Sequence, residues 1–239
     1  VGIPFQVFGF TSPHGGEPRE VNYHPNLTTF DSTELQMIEL YSSKMSKAEL
    51  EFAYRSQIYS SSDPYYFQSR IERLGNTPLN SAVMAMQYAI KDFRKANPVE
   101  KMRLVTLTDG ESNSVRILEG KDIKGTEKYW NWNTPIFTEV NGKKIELARG
   151  YSKGLENTAK ILRAVAGKDV SLMNFYITDA RGLREELYRL FPWEEANQKA
   201  ARRQIKDTGA FVIDDDIGYD RRFIIPNRGN ALSGRTDDL

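Results

Sequence analysis

Four short runs of apolar residues along the chain have the length and composition of β-strands. They are rich in β-branched and aromatic side chains, and turn-forming residues follow several of them. The four runs are residues 3–10, 34–41, 102–108 and 171–178. We interpret residues 102–108 as a strand buried on both faces. Residues 209–213 and 222–225, on either side of Asp214–Asp216, predict a last strand pair or one bent strand.

The segments between these runs carry apolar residues at the three- and four-residue spacing of amphipathic helices. The strongest pattern predicts a helix over about 79–95, and Ser46 with Glu49 has capping-box spacing at the start of a helix over about 46–59. Further helices are predicted at about 64–74 and 153–166, and a charged helical region at about 182–206. This alternation predicts an α/β fold in which the four strands share one mainly parallel central sheet, with the 79–95 helix packed on it.

Residues 114–151 interrupt the alternation. Asn141-Gly142 between two apolar arms predicts an inserted hairpin with a type I′ turn. Trp130 and Trp132 precede it, either as the cap of a small core or as an exposed anchor for a partner. We therefore predict one domain over residues 1–225, with the insertion at 114–151 and a polar tail at 226–239.

Composition excludes several classes of function. Lys and Arg total 33 against 32 for Asp and Glu, a balance that argues against a nucleic-acid-binding surface. The absence of cysteine excludes disulfides, thiolate catalysis and Cys-ligated zinc, and two histidines are too few for an imidazole-rich metal site. No run approaches the roughly 18 apolar residues of a membrane span. We expect a soluble, cytoplasmic protein and, because the chain opens on Val1 directly before a strand, a fragment or processed product.

Two polar turns stand at the ends of apolar elements. One is Gly75-Asn76-Thr77-Pro78-Leu79 and the other is Leu107-Thr108-Asp109-Gly110. In an open parallel sheet such loops converge at the carboxyl edge of the strands, where ligands bind. We therefore expect Thr77 and Asp109 to face each other there.

The two turns resemble the metal-ion-dependent adhesion site of von Willebrand factor A (VWA) domains. Thr77 stands in the family's G-[GN]-T-P-L pattern and Asp109 in its L-T-D-G pattern. The closest likeness is to the VWA subunits of cobalt chelatases and their phage relatives, whose second strand resembles residues 2–11. The likeness covers about two-thirds of the chain.

The resemblance implies a Rossmann-like VWA domain that acts as a protein-binding module and not as an enzyme. Thr77 and Asp109 would be ligands of Mg²⁺, which takes oxygen ligands and keeps several waters, so an incomplete shell leaves room for an acidic group of a partner. The implied partner is a MoxR-type AAA+ ATPase, in the host cytoplasm if the protein is phage-encoded. No membrane and no nucleic acid are implied.

One family motif, D-x-S-x-S after the first strand, occurs nowhere in the chain. The resemblance then places the first strand and helix upstream of Val1, which makes an upstream fragment of the same protein a further candidate partner; otherwise this copy has lost them. The rival function is a virion structural or scaffold protein whose VWA fold has lost its metal. A hydrolase is disfavoured, because H-E-x-x-H and cysteine are absent.

The site residues also have plain structural explanations. Thr77 could cap the 79–95 helix, and Asp109 could serve only as a turn residue. Asn80, Ser112 and Asn113 either line the same edge or are loop polar groups. Asp214–Asp216 could hold Ca²⁺ or form a solvated acidic turn. His14 and His24 have no evident nucleophile partner.

Overall fold

The protein is a mixed α/β molecule with a mostly parallel sheet flanked by helices, compatible with a Rossmann-like fold. The computed structural model describes residues 2–11, 29–30, 35–62, 77–109, 117–118, 136–148 and 154–227. Outside them lie the predicted 64–74 helix, the tail beyond residue 227, and His14, His24, Ser112, Asn113, Trp130 and Trp132. None of the described helices is long and apolar enough to cross a membrane.

The chain divides into two compact units. Unit 1 is Val1–Glu100 with Ser112–Val165, and unit 2 is Lys101–Glu111 with Ala166–Leu239. Unit 2 is therefore assembled from two separate stretches of sequence, with part of unit 1 inserted between them. The prediction of one domain over residues 1–225 stays a prediction.

The described residues of unit 1 form three two-stranded antiparallel sheets and three helices. Strand β1 pairs with β3, β2 with β5, and β6 with β7. The strands are β1 Gln6–Thr11, β2 Thr29–Phe30, β3 Gln36–Ser42, β5 Ile117–Leu118, β6 Ile136–Val140 and β7 Lys143–Leu147. The helices are α1 Lys47–Ser62, α2 Leu79–Ala96 and α3, which begins at Gly154 and ends at Ala166, the first residue of unit 2.

Two predictions from local chemistry are confirmed in unit 1. At the start of α1, the Ser46 amide donates to the Glu49 carboxylate at 2.7 Å and the Glu49 amide donates to the Ser46 hydroxyl at 3.3 Å. These bonds form the predicted capping box, and the backbone bond from Ser46 lowers the pKa of Glu49. Between β6 and β7, Asn141 and Gly142 have φ of +50° and +74°, as a type I′ turn requires.

In unit 2, the described residues form one four-stranded sheet and two helices. The strand order is β4-β8-β10-β9, in which β4, β8 and β10 are parallel and β9 is antiparallel to β10. Strands β4 and β8 span Met102–Thr108 and Val170–Thr178, and β9 and β10 span Phe211–Asp216 and Tyr219–Pro226. Between β8 and β9 lie helices α4, Ala180–Leu190, and α5, Glu195–Thr208.

One face of this sheet carries the core of unit 2. Ile224 of β10 is fully buried against Leu187 of α4 and Ile205 of α5. The other face is more open, with Val105 and Leu107 of β4 exposed to 49% and 62%. The helices therefore cover one side of the sheet, and α4 is held directly above the strands whose ends form the site described below.

The predicted sheet arrangement was wrong in two respects. The runs at 3–10 and 34–41 form their own antiparallel pair, β1 with β3, and do not join the sheet of 102–108 and 171–178. Strand β4 lies at the edge of that sheet and is open on one face, although it was expected to be buried on both. An apolar run indicates a strand, but its composition is similar at a sheet edge and a sheet centre.

Candidate functional site

The carboxyl ends of three adjacent parallel strands meet at one edge of unit 2. Asp109 follows β4, Asp179 follows β8 and Asn227 follows β10. These residues line a cleft of about 410 Å³ together with Thr178 and Arg181. The backbone N–H of Asn227 donates to the backbone carbonyl of Thr178 at 2.6 Å, which fixes the end of β10 against the end of β8. Such an edge is the usual ligand-binding position in open α/β sheets.

The first turn of α4 forms one wall of the cleft. Asp179 is its N-cap and accepts a hydrogen bond from the Gly182 amide at 2.8 Å. The backbone of Gly182 passes so close to β8 that a Cβ there would lie 2.1 Å from the Thr178 hydroxyl oxygen. Arg181 and Glu185 form an exposed ion pair at 2.9 Å on the same wall. The wall is therefore positioned by a cap and by a close contact between helix and strand.

A buried network of charged side chains lies behind this wall. Arg222 of β10 forms ion pairs with Glu186 of α4 and, at 3.0 Å, with Asp216 of β9. Arg189 of α4 reaches both carboxylates at 2.7 Å. The side chains of Arg222 and Glu186 are only 5% and 6% exposed. The network therefore ties α4 to two strands of the sheet.

The electrostatics of the network favour charged side chains. Burial opposes ionisation of Glu186, but the hydrogen bond from Arg189 and the positive charges of Arg222 and Arg189 outweigh it, so the pKa of Glu186 is lowered. Burial also acts against the charged form of Arg189, yet its bonds to the two carboxylates raise its pKa. Arg222 additionally donates to Asn174 at 3.1 Å. We assign this network a structural role.

Three residues of the cleft carry oxygen donors of the kind that hard cations take. Asp109 and Asp179 supply carboxylate oxygens, and Asn227 supplies an amide oxygen. Mg²⁺ takes one or two protein carboxylates and keeps several waters, so this small donor set suits it. Within the described residues, no three His, Cys, Asp or Glu side chains are grouped as a metal site. Other oxygens, from hydroxyls, water or a partner, would have to complete a shell.

The two residues predicted as metal ligands lie in different units. Asp109, in unit 2, is exposed and lines the cleft. Thr77, in unit 1, precedes α2, where its carbonyl accepts from the Leu79 amide at 2.8 Å. The alternative role of Thr77 as a helix cap was wrong, because Pro78 is the N-cap of α2 and no side chain caps it. The pairing of Thr77 with Asp109 at one ion stays a prediction.

Other candidate residues have structural partners. Asn80 is 1% exposed inside α2 and accepts a hydrogen bond from Thr158 of α3 at 2.7 Å, so it is a helix-to-helix contact and not a loop group. The acidic run Asp214–Asp216 belongs to β9. Asp214 pairs with Arg221 at 2.8 Å, while Asp216 belongs to the buried network, so two of its three carboxylates are already held by arginines.

Asp179 and Asn227 were not predicted from the sequence as residues of the cleft. The signal for Asp179 was present, because it follows the apolar run 171–178 directly and stands ahead of a helical segment, as Asp109 follows 102–108. No signal marked Asn227, which follows a strand recognised only in part. No protein-family model, curated protein or solved structure matches this chain.

Proposed function

We propose that the chain is a metal-dependent protein-binding module of the VWA type, which uses the carboxyl edge of unit 2 to bind a partner through Mg²⁺. The observation that carries the proposal is the cleft in which Asp109, Asp179 and Asn227 follow three adjacent parallel strands. The Thr77 and Asp109 motifs support it through their resemblance to the VWA metal site.

In this proposal Asp109 is the principal ligand. It is exposed at the end of an edge strand, and within the described residues it has no ion pair that would compete for its carboxylate. One carboxylate oxygen of Asp179 already accepts the hydrogen bond that caps α4. We therefore assign Asp179 to hold a water of the cation or to contact the cation more weakly than Asp109. The cation would supply a positive centre with open positions, which an acidic side chain of the partner could fill. The resemblance also assigns Thr77 as a ligand, and the cleft proposal does not depend on it.

The partner we propose is a MoxR-type AAA+ ATPase. Only the likeness to cobalt-chelatase VWA subunits supports this choice. The protein would then act in the cytoplasm, as a binding component whose own residues perform no covalent chemistry.

The first prediction is that Asp109→Ala weakens binding of the cation. Mn²⁺, which takes the same oxygen ligands, serves as the probe, and free Mn²⁺ is measured by electron paramagnetic resonance. We expect the affinity to fall about tenfold or more, because the variant loses the main anionic ligand. Binding of the ATPase, measured by pull-down, should fall with it and should also be lost in EDTA.

The matched control is Asp92→Ala, which removes an exposed carboxylate on α2, outside the cleft. It should leave both Mn²⁺ and ATPase binding unchanged, and thermal melts of both variants should match that of the original chain. Mn²⁺ affinity that survives Asp109→Ala would contradict the proposal. So would ATPase binding that is indifferent to EDTA.

A structural role in a virion is the second candidate. Two observations favour it: the chain has no D-x-S-x-S motif, and the described part has no group of three acidic or imidazole side chains. The α/β unit would then contribute packing surface only. The same Mn²⁺ measurement separates the two functions, because a scaffold has no need of the cation.

A further inference from the structure

Strand β4 is an edge strand of its sheet, as far as the described part of the chain shows. It hydrogen-bonds to β8 on one side, and no described strand pairs with its other side. Its seven residues contain no proline, and its register with β8 runs without a bulge from Met102 to Thr108. Natural edge strands are usually shortened, bulged, covered or blocked by an inward charge. This edge therefore presents a row of backbone donors and acceptors to another strand.

The side chains on the open face of β4 form a self-complementary pattern. By strand alternation Arg103, Val105 and Leu107 share this face, and exposed Asp109 follows directly after the last residue of the strand, so the order along the chain is positive, apolar, apolar, negative. Val105 and Leu107 are the exposed apolar pair, at 49% and 62%. Arg103 and Asp109 are also exposed, and neither has an ion pair within the described residues. When a second copy of the strand runs in the opposite direction, this order places each charge opposite a charge of the other sign and each apolar residue opposite an apolar residue.

We propose that two copies of this chain associate through antiparallel pairing of their β4 edges. Two identical strands related by a two-fold axis can pair only antiparallel, and such an interface brings the same patch of both copies together. With Thr106 on the axis, Val105 stands opposite Leu107 of the second copy. In the same register Arg103 stands opposite Asp109 of the second copy, and each pair occurs twice.

This register satisfies the three kinds of group that the edge exposes. The backbone donors and acceptors of β4 pair across the axis, the four exposed apolar side chains lie against one another, and the two charge pairs close the ends. The result is a continuous eight-stranded sheet, with α4 and α5 of both copies on the same side. A shift of the axis to Val105 would put Arg103 opposite Leu107, which breaks both the Arg103–Asp109 pairs and the Val105–Leu107 pairs.

The test is a charge reversal followed by its rescue. Sedimentation equilibrium of the full chain over a concentration series measures the dimer constant. Arg103→Asp and Asp109→Arg should each weaken association by about tenfold or more, because each replaces two attractive pairs with two repulsive ones. The double variant restores opposite charges in the same register and should associate nearly as well as the original chain.

A second variant tests the apolar pair. Leu107→Lys places a charge on the edge opposite Val105 and should leave the chain monomeric. Tyr88→Lys, at a residue of α2 that is exposed to 68%, is the control and should leave the dimer constant unchanged. Hydrogen exchange adds a local readout, because the outward-facing amides of β4 should become protected as concentration rises.

The proposed cation site and this interface fail separately. Arg103→Asp should weaken the dimer about tenfold or more without weakening Mn²⁺ binding, since Arg103 is not a ligand and its replacement only releases Asp109 of the second copy from an ion pair. If the chain forms the dimer but does not bind Mn²⁺, only the proposed function is contradicted. A chain that stays monomeric across the concentration series, or a dimer indifferent to both Arg103→Asp and Leu107→Lys, overturns the interface.

Discussion

Arg222 joins three elements of unit 2 through one buried side chain. Its guanidinium contacts Glu186 of α4, Asp216 of β9 and Asn174 of β8, and it lies 4.9 Å from the centre of the Tyr176 ring. A further chain of hydrogen bonds runs from Asn174 through Thr106 to Tyr219. The hydrogen bonds of these buried polar groups therefore depend on the position of the Arg222 side chain. Desolvation makes such a site costly to form, and removal of one partner leaves the other charges buried and unpaired.

We predict that Arg222→Met destabilises the protein by about 3–5 kcal/mol. The control is Arg221→Met on the same strand, where the side chain is 53% exposed and pairs only with exposed Asp214. That change should cost no more than about 1 kcal/mol, because exposed pairs are screened by solvent. Chemical denaturation of both variants gives the comparison, and equal losses would contradict a special role for Arg222.

The same experiment has a pH dependence with a defined sign. Glu186 has a lowered pKa in the folded protein, so its contribution is complete above its ordinary pKa and is lost as pH falls through the folded value. The difference in stability between the original chain and Arg222→Met should therefore narrow in acid. A difference that grows as the pH falls would show that Glu186 does not stabilise the charged network.

At the scale of elements, the sequence predicts best what local chemistry decides. Ser46 and Glu49 specify the start of α1, and Asn141-Gly142 specifies the β6–β7 turn, because each signal acts within four residues. The charged helical region predicted at about 182–206 consists of two helices, α4 and α5, separated at 191–194. Pro192 was the available signal for that break. Trp193 beside it adopts a left-handed φ of +66° that no composition rule indicates.

Sheet order could not be predicted in the same way. The pairing of β4 with β8 joins residues about 68 positions apart, and nothing in the run 102–108 says that its second side stays open. The candidate site shows the same limit. Asp109 was identified by its turn motif, whereas Asn227 joins the cleft only because β10 happens to lie beside β8. The site is assembled by pairing between strands that are distant in the sequence, and the spacing of apolar residues along the chain does not indicate which strands pair.

The close approach of α4 to β8 leads to a prediction for Gly182. In Gly182→Ala the new Cβ would lie 2.1 Å from the Thr178 hydroxyl oxygen, so the helix must shift or Thr178 must rotate. We expect a loss of about 1–3 kcal/mol, the usual range for overpacking, measured by chemical denaturation. Thr178→Ala removes the obstructing oxygen, so the double variant should lose less than the sum of the two single changes. Additive losses would show that this contact does not set the helix position.

At the scale of the whole molecule, the described apolar core, charge network and four-stranded sheet of unit 2 are all formed by residues of unit 2 itself. Its apolar core is formed by Leu183, Leu187, Ala201, Ile205 and Ile224. Its charge network and all four of its strands also lie within Lys101–Glu111 and Ala166–Leu239. The stretch between these segments connects the end of β4 to the start of β8. Because the two strands are parallel, this connection has to run back along the length of a strand of about seven residues, or roughly 23 Å.

We therefore predict that unit 2 folds without unit 1. A chain in which a flexible linker of about 20 residues replaces residues 112–165, and residues 1–100 are omitted, can make the return, because such a linker spans about 25 Å on average. It should unfold in one cooperative transition and retain the near-ultraviolet circular dichroism of a packed aromatic core, to which the stacked Phe175 and Phe223 rings contribute. Leu187→Ala in the same chain, at a fully buried position, should abolish that signal or lower the midpoint strongly, since large-to-small core changes cost about 2–5 kcal/mol. A shortened chain with helical signal but no cooperative transition would mean that unit 1 supplies part of the stability of unit 2.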